Sequence, residues 1–256
     1  MNWFSVFLYL WAAGISGALA LVPASEIGRR FLRFHAAILL VLVIAATAIE
    51  RPFFDGFSGG TLKLLASAIA WTLVADVVVI ASLAFSKSRA MAPIAFLLPV
   101  ITGAFLGLVI SLPDDQPALL TLHLLTSGAM LGSSLVAMNL GHAYLQNAAL
   151  SFDHLVRLAK LFLGSAIAKT GVSVVLFSSQ VGSWWPKLLD DFDGMLIVVR
   201  VVAGLLGSMV LGLMVLSCAR SRANQSATGI LYATVVVVLV GEAISMYLTL
   251  GRGIRA

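Results

Sequence analysis

Four ionisable side chains interrupt the long apolar stretches of this sequence, and they are the first candidates for chemistry. They are Asp76, Lys169, Arg200 and Glu242. A charge inside a membrane-spanning helix is costly, so such residues pair with one another or serve a proton or substrate path. Their depths in the predicted helices would let Asp76 meet Lys169 and Arg200 meet Glu242. The alternatives are a site for a polar headgroup, two ion pairs that only lock helices together, or an Arg200 that extends outward to the membrane surface.

The four histidines are the second set of candidates. His35, His142 and His154 fall at one predicted end of the helices, whereas His123 falls at the other. Neutral imidazole binds haem iron and other metals, so His35 and His142 could hold a b-type haem or another metal between two helices. His123 and His142 stand roughly 30 Å apart along one helix and cannot share a metal. The alternative is that these histidines contact lipid headgroups or loop carbonyls.

The helix that carries His123 has further features of a binding site. Small and polar side chains recur on one of its faces at three- to four-residue spacing, namely His123, Ser127, Met130, Ser134 and Met138. Such a face packs against protein or a bound molecule rather than lipid. Met138 could pack on a flat ring or offer its thioether, and Tyr144 adds a polar group. The residues expected to bind a b-type haem or a quinone are therefore His35, His123, Met138, His142 and Tyr144.

These candidates are set in a chain that is almost entirely apolar. Of its 256 residues, 61% are hydrophobic and 11% are charged, against roughly a quarter charged in soluble domains. About 20 apolar residues cross a bilayer as a helix. The predicted spans are Trp3–Val22, Phe34–Ile49, Leu62–Phe85, Met91–Leu112, Ala118–Gln146, Leu155–Phe177, Met195–Cys218 and Thr228–Leu250. We expect an all-α integral membrane protein with one domain, residues 1–256, that forms a polytopic bundle of about eight transmembrane helices in the lipid bilayer.

The basic residues of the loops predict the orientation of the bundle. Loops on one side carry nine Lys or Arg and two acidic residues, and loops on the other side carry five and seven. The more basic side is cytoplasmic, which places both termini on the outer, periplasmic side of the cell inner membrane. The first apolar stretch is followed, not preceded, by basic residues, so we expect a retained span rather than a cleaved signal peptide. Because the net charge of +5 arises from the loops, no nucleic-acid partner is expected.

One short segment resembles known membrane families. Residues 157–172 resemble a helix start found in copper-resistance and b-cytochrome-like proteins, through Arg157, Leu158, Ala159, Lys160, Ala166, Thr170, Gly171 and Val172. The resemblance implies electron transfer but does not extend to the rest of the chain. Motifs of hydrolases, nucleotide-binding proteins and zinc proteases are absent from the sequence, so we expect no catalytic residues of its own.

Three functions are compatible with these features. The favoured one is a membrane subunit of a respiratory or other electron-transfer complex, which binds a b-type haem or a quinone and exchanges electrons with other membrane or peripheral subunits. Such a chain would be at most a quinone-reactive subunit of an oxidoreductase. The second is a small-solute or ion transporter that uses the intramembrane Asp, Lys, Arg and Glu. The third is a membrane scaffold subunit without a cofactor.

Overall fold

A computed structural model describes residues 2–22, 26–55, 92–111, 114–146, 151–179 and 192–255. These ranges consist of helices joined by short turns, with no β-strand among them. In chain order the helices are α1 (Trp3–Ala20), α2 (Arg29–Asp55), α3 (Ala92–Ser111), α4 (Pro117–Gln146), α5 (Asp153–Ser178), α6 (Phe192–Arg220) and α7 (Asn224–Gly251).

Among these helices, α1, α2, α4, α5, α6 and α7 are long and apolar enough to cross a membrane. Helix α3 has a shorter apolar stretch, Val100–Ser111. The prediction of an all-helical membrane protein is therefore confirmed. The predicted third span, Leu62–Phe85, and Asp76 within it lie outside the described residues.

The bounds predicted for the second span were too narrow. Helix α2 begins at Arg29 and ends at Asp55, whereas the apolar run in the sequence covers only Phe34–Ile49. The basic residues of its first turn are exposed. Long basic side chains can reach polar surroundings from a helix that has already begun, so the apolar run underestimates the helix.

Two ion pairs join the C-terminal residues to the start of α6 and to the α3–α4 connection at one end of the bundle. Arg252 Nε lies 3.0 Å from Asp193 Oδ2, and Arg255 Nη2 lies 2.8 Å from Asp114 Oδ2. These contacts bring together the end of α7, the start of α6 and the α3–α4 connection. We call this end of the bundle the terminal end. The opposite end is the one where α1 ends and α2 begins.

Helices α1 and α4 approach each other closely through glycines. A β-carbon built on Gly132 would overlap the backbone of Gly14, and one built on Gly128 would lie 2.6 Å from the carbonyl oxygen of Leu10. Small residues let helix backbones approach in this way in membranes, where packing rather than burial from water drives association. The contact fixes α4, which carries His123, against α1.

We expect Gly132→Ala to reduce the free energy of unfolding by about 1–3 kcal/mol, because the added methyl group overpacks the contact with α1. Gly171→Ala on α5 is the matched control, since nothing lies within 4 Å of a β-carbon there. Thermal unfolding in detergent, followed by tryptophan fluorescence, measures both variants. Equal melting temperatures for the two would contradict the close contact.

Candidate functional site

A group of polar side chains lies buried where α4, α5, α6 and α7 meet. We call it the polar cluster, and its members are His123 and Ser127 from α4, Lys169 from α5, Arg200 from α6 and Glu242 from α7. Each has a relative accessibility of 0%. The four ionisable members lie six to nine residues from the helix ends at the terminal end, or roughly 9–14 Å. Because successive helices run in opposite directions, residues that are far apart in the sequence lie at one depth.

The carboxylate of Glu242 lies between two cations. Its Oε1 accepts a hydrogen bond of 2.8 Å from Arg200 Nη1, and its Oε2 is 3.5 Å from Lys169 Nζ. Formal charges of +2 and −1 leave one positive charge in excess among these three residues. Because charge at membrane depth must be compensated, the excess is the most unusual electrostatic feature of the site.

Lys169 joins α5 to α4 as well as to Glu242. Its Nζ donates to Ser127 Oγ at 2.6 Å and to the backbone carbonyl oxygen of His123 at 2.9 Å. Ser127 Oγ in turn donates to the same carbonyl at 3.0 Å. The ammonium group is therefore well supplied with acceptors, which offsets part of the free energy lost on burial.

The imidazole of His123 lies between two serines. Its Nε2 is 3.1 Å from Ser245 Oγ on α7, and its Nδ1 is 3.5 Å from Ser173 Oγ on α5. One ring nitrogen of a neutral imidazole donates and the other accepts, and a hydroxyl can do either. The hydrogen bond between the ring and Ser245 can therefore run in either direction without a large movement.

Arg200 is placed by a local change in helix geometry and by two glycines. A π-helical segment begins at Arg200 and ends at Gly207. A β-carbon on Gly204 would lie 2.9 Å from Arg200 Nη1 and 3.0 Å from the Cα of Gly241. The guanidinium group thus occupies space that only glycine leaves open. π-Helical segments are rare and are frequent at functional sites.

Part of the hydrogen-bonding capacity of the polar cluster has no partner. Arg200 Nε and Nη2 and Glu242 Oε2 are buried without a hydrogen bond among the described residues. An unpaired buried donor or acceptor costs about 1–3 kcal/mol, and more when it is charged. The site therefore carries two donors of Arg200 that its own side chains do not use, and an acceptor, Glu242 Oε2, whose contact is the 3.5 Å ion pair with Lys169.

The structure brings several predicted residues together and separates others. Arg200 lies against Glu242, as their depths suggested, and Lys169 lies against the same carboxylate. Asp76, which was expected to meet Lys169, is outside the described residues. Ser173 and Ser245 were missed in the sequence, although they follow Lys169 by four residues and Glu242 by three and so share their helix faces.

At the opposite end, the histidine pair expected to bind haem is engaged differently. His35 Nδ1 is 2.9 Å from the carbonyl oxygen of Phe31, and His35 Nε2 is 3.1 Å from Asn139 Nδ2. His142, one turn further along α4 than Asn139, is exposed. His154 Nε2 lies 2.6 Å from Glu26 Oε2. In the ranges the structure covers, no three His, Cys, Asp or Glu side chains converge as metal ligands would.

The other two predicted binding residues have packing roles in the structure. Tyr144 is buried, stacks on Phe152 with ring centroids 5.0 Å apart, and donates a hydrogen bond to the carbonyl oxygen of Ser151. These contacts join the end of α4 to the start of α5. Met138 is half-buried against the hydrophobic core. Neither side chain contacts the polar cluster, so the candidate site rests on His123 alone among the five.

Replacing Glu242 should destabilise the protein more than replacing an exposed glutamate. Glu242→Gln leaves two buried cations without a counter-ion, and breaking a buried pair costs about 3–5 kcal/mol. Glu26→Gln is the matched control, because the Glu26 side chain is 50% exposed and exposed pairs contribute about 0–1 kcal/mol. Lys169→Met should be tolerated better than Glu242→Gln, since it leaves the Arg200–Glu242 pair intact.

Thermal unfolding of the three variants in detergent tests this ranking. If Glu242→Gln and Glu26→Gln have the same melting temperature, the two buried cations do not depend on Glu242. The electrostatic account of the cluster would then be wrong.

Comparison of the chain with protein-family models and with curated proteins finds no match in either set. A function for the protein therefore has to be argued from the chemistry of the polar cluster itself.

Proposed function

We propose that the protein is a quinone-reactive membrane subunit of an electron-transfer complex, with the polar cluster as its quinone site. The observation that carries the proposal is a pair of unused donors beside a carboxylate in one buried place. Within the described part of the chain, Arg200 Nε and Nη2 are donors without a partner, and Glu242 Oε2 is an acceptor that has an ion pair with Lys169 but no hydrogen bond. A quinone offers two carbonyl acceptors, whereas the quinol offers two hydroxyl donors. A site that serves both forms needs a donor and an acceptor side by side.

The proposed chemistry needs one further reactant, an electron carrier of a docked subunit that reacts twice for each quinone. Quinol loses two protons and two electrons to give quinone, and the reverse reaction takes up the same. Arg200 donates to a carbonyl oxygen of the quinone, and Glu242 accepts from a hydroxyl of the quinol. His123 and Ser245 carry protons between the site and the terminal end. The electrons go to or come from a one-electron carrier in a docked subunit.

The position of Arg200 suits a ligand that arrives through lipid. Its neighbours Val199 and Val201 are 36% and 41% exposed on the apolar surface. The helix turn that carries Arg200 therefore also faces, through these two neighbours, the hydrocarbon in which quinones dissolve. Pockets for such ligands combine apolar walls with a few polar groups, and the polar cluster supplies polar groups of that kind among apolar helices.

A quinone is proposed rather than a b-type haem because of the contacts of His35. Iron binds a ring nitrogen of histidine, and both nitrogens of His35 already have partners in Phe31 and Asn139. We expect a flat dithionite-reduced minus oxidised optical spectrum for the purified protein, with no change in His142→Ala. A sharp b-type signal that His142→Ala removes would overturn this choice and restore the histidine pair as haem ligands.

A transporter is the second function that the sequence allows, and the distribution of buried ionisable groups favours it less. A proton relay across the bilayer needs ionisable groups at successive depths. Within the described helices, the fully buried charged side chains Lys169, Arg200 and Glu242 lie at one depth near the terminal end. His35 and His154 lie at the opposite end. This two-level distribution supports a local binding site over a relay across the bilayer.

The topology proposed for this function has eight spans, with both termini outside in the cell inner membrane. Trp3 packs edge-on against Tyr247, with ring centroids 5.7 Å apart. The start of the first helix and the end of the last helix therefore lie at the same end of the bundle. An even number of crossings would give that arrangement. The polar cluster then lies near the outer surface of the membrane. The electron-carrying partner subunit docks on the loops of this protein.

Equilibrium binding of a short-tailed ubiquinone to the full-length, detergent-solubilised protein tests the proposed site. We expect Arg200→Lys to weaken binding about tenfold, because lysine keeps the charge but lacks the planar pair of N–H donors. Arg220→Lys is the control, since Arg220 is on the same helix but exposed at the other end. Binding that is absent in the wild type, or unchanged in Arg200→Lys, would refute the quinone site.

A further inference from the structure

The Nε–Nη2 edge of Arg200 is the feature of the polar cluster that its own residues leave unexplained. A guanidinium group has two edges that can bind two oxygens at once. Glu242 uses only Nη1, at 2.8 Å. The edge formed by Nε and Nη2 is buried and has no hydrogen-bond partner among the described residues. Two parallel N–H donors on one edge match two oxygen atoms of a planar anion.

The charge of the cluster points to the same kind of occupant. Lys169 and Arg200 together exceed Glu242 by one positive charge, and all three are fully buried. Lys169 Nζ already donates hydrogen bonds to Ser127 and to the carbonyl oxygen of His123. Arg200 is therefore the cation of the cluster that still has free donors. A ligand with one negative charge would match the formal excess.

The glycines beside Arg200 hold this edge in place. The guanidinium group lies over Gly204, where a β-carbon would be 2.9 Å from Nη1, and close to Gly241, where it would be 3.4 Å from Nη1. Both glycines face the Nη1 side, which is the side that Glu242 occupies. The group is thus fixed through Nη1, and the Nε–Nη2 edge is directed away from that contact.

We infer that Arg200 binds a planar anion in which two neighbouring oxygen atoms share one negative charge. This inference rests on the proposed quinone site and deepens it, by naming the form of ligand that the site prefers. A deprotonated 2-hydroxyquinone has this chemistry, because its enolate and adjacent carbonyl oxygens share the charge. A simple carboxylate also has two oxygen atoms that share one negative charge, but it has no quinone ring.

Three probes separate these cases on the full-length protein in detergent. 1,4-Naphthoquinone is neutral, 2-hydroxy-1,4-naphthoquinone has nearly the same shape but is an anion at neutral pH, and benzoate is an anion without a quinone ring. We expect the hydroxynaphthoquinone to bind about tenfold more tightly than naphthoquinone, since charge-assisted bidentate bonds are stronger than neutral ones. We expect benzoate to bind weakly.

The variants assign the preference to one side chain. In Arg200→Lys, which keeps the charge and loses the bidentate edge, the tenfold preference should disappear. In Arg220→Lys it should remain. If Arg200→Lys does not fold, the three probes on the wild-type protein still decide whether the site prefers the planar anion.

Each contrary result has a distinct meaning. Equal affinity for the two naphthoquinones would overturn the anion preference and leave the quinone site standing. Equal affinity for hydroxynaphthoquinone and benzoate, with no binding of naphthoquinone, would overturn the quinone function and uphold the anion site. Failure of all three probes to bind would overturn both. A preference that survives in Arg200→Lys would overturn the assignment to Arg200.

Discussion

The carboxylate of Glu242, held between Arg200 and Lys169, is the interaction on which the arrangement of the second half of the bundle depends. It joins α7 to α6 through the 2.8 Å contact with Arg200 and to α5 through Lys169. Lys169 extends the connection to α4 through Ser127. Hydrocarbon offers these groups no alternative partner, so the helices can separate only at a high electrostatic cost. The same constraint concentrates reactive groups at one depth.

Close backbone contact between helices makes that arrangement possible. Gly204 and Gly241 bring α6 and α7 near enough for the guanidinium group to lie between them, and Gly14 and Gly132 bring α1 against α4. In water, burial of large apolar side chains would drive such packing. In lipid, small residues do so because they increase van der Waals contact between backbones. The small-residue positions therefore act on the site indirectly, by setting the distances between its helices.

The two ends of the bundle differ in chemistry. The terminal end has two carboxylate–guanidinium pairs formed by the C-terminal residues, and the polar cluster lies beneath them. The opposite end has the His35–Asn139 and His154–Glu26 contacts, which join α2 and the α1–α2 connection to α4 and α5. The histidines at this end therefore have packing partners, and His123, which the sequence set apart from them, is the one that belongs to the polar cluster.

Hydropathy alone was sufficient to predict the all-helical membrane class, because spanning segments must be both long and apolar. It also identified Lys169, Arg200 and Glu242 as unusual, since charges are rare inside such segments. Depth along the helices even suggested the pairing of Arg200 with Glu242. Depth is a one-dimensional quantity, however, and it does not give the rotation of each helix or its neighbours.

Only the tertiary structure decided that both cations share Glu242, that His123 lies between Ser173 and Ser245, and that Asn139 rather than His142 contacts His35. It also decided that a π-helical segment begins at Arg200. Each of these depends on which helix faces meet, and that is set by packing among segments that are distant in the sequence. The sequence determined which residues could do chemistry in the membrane, and the packing of the helices determined which of them lie together.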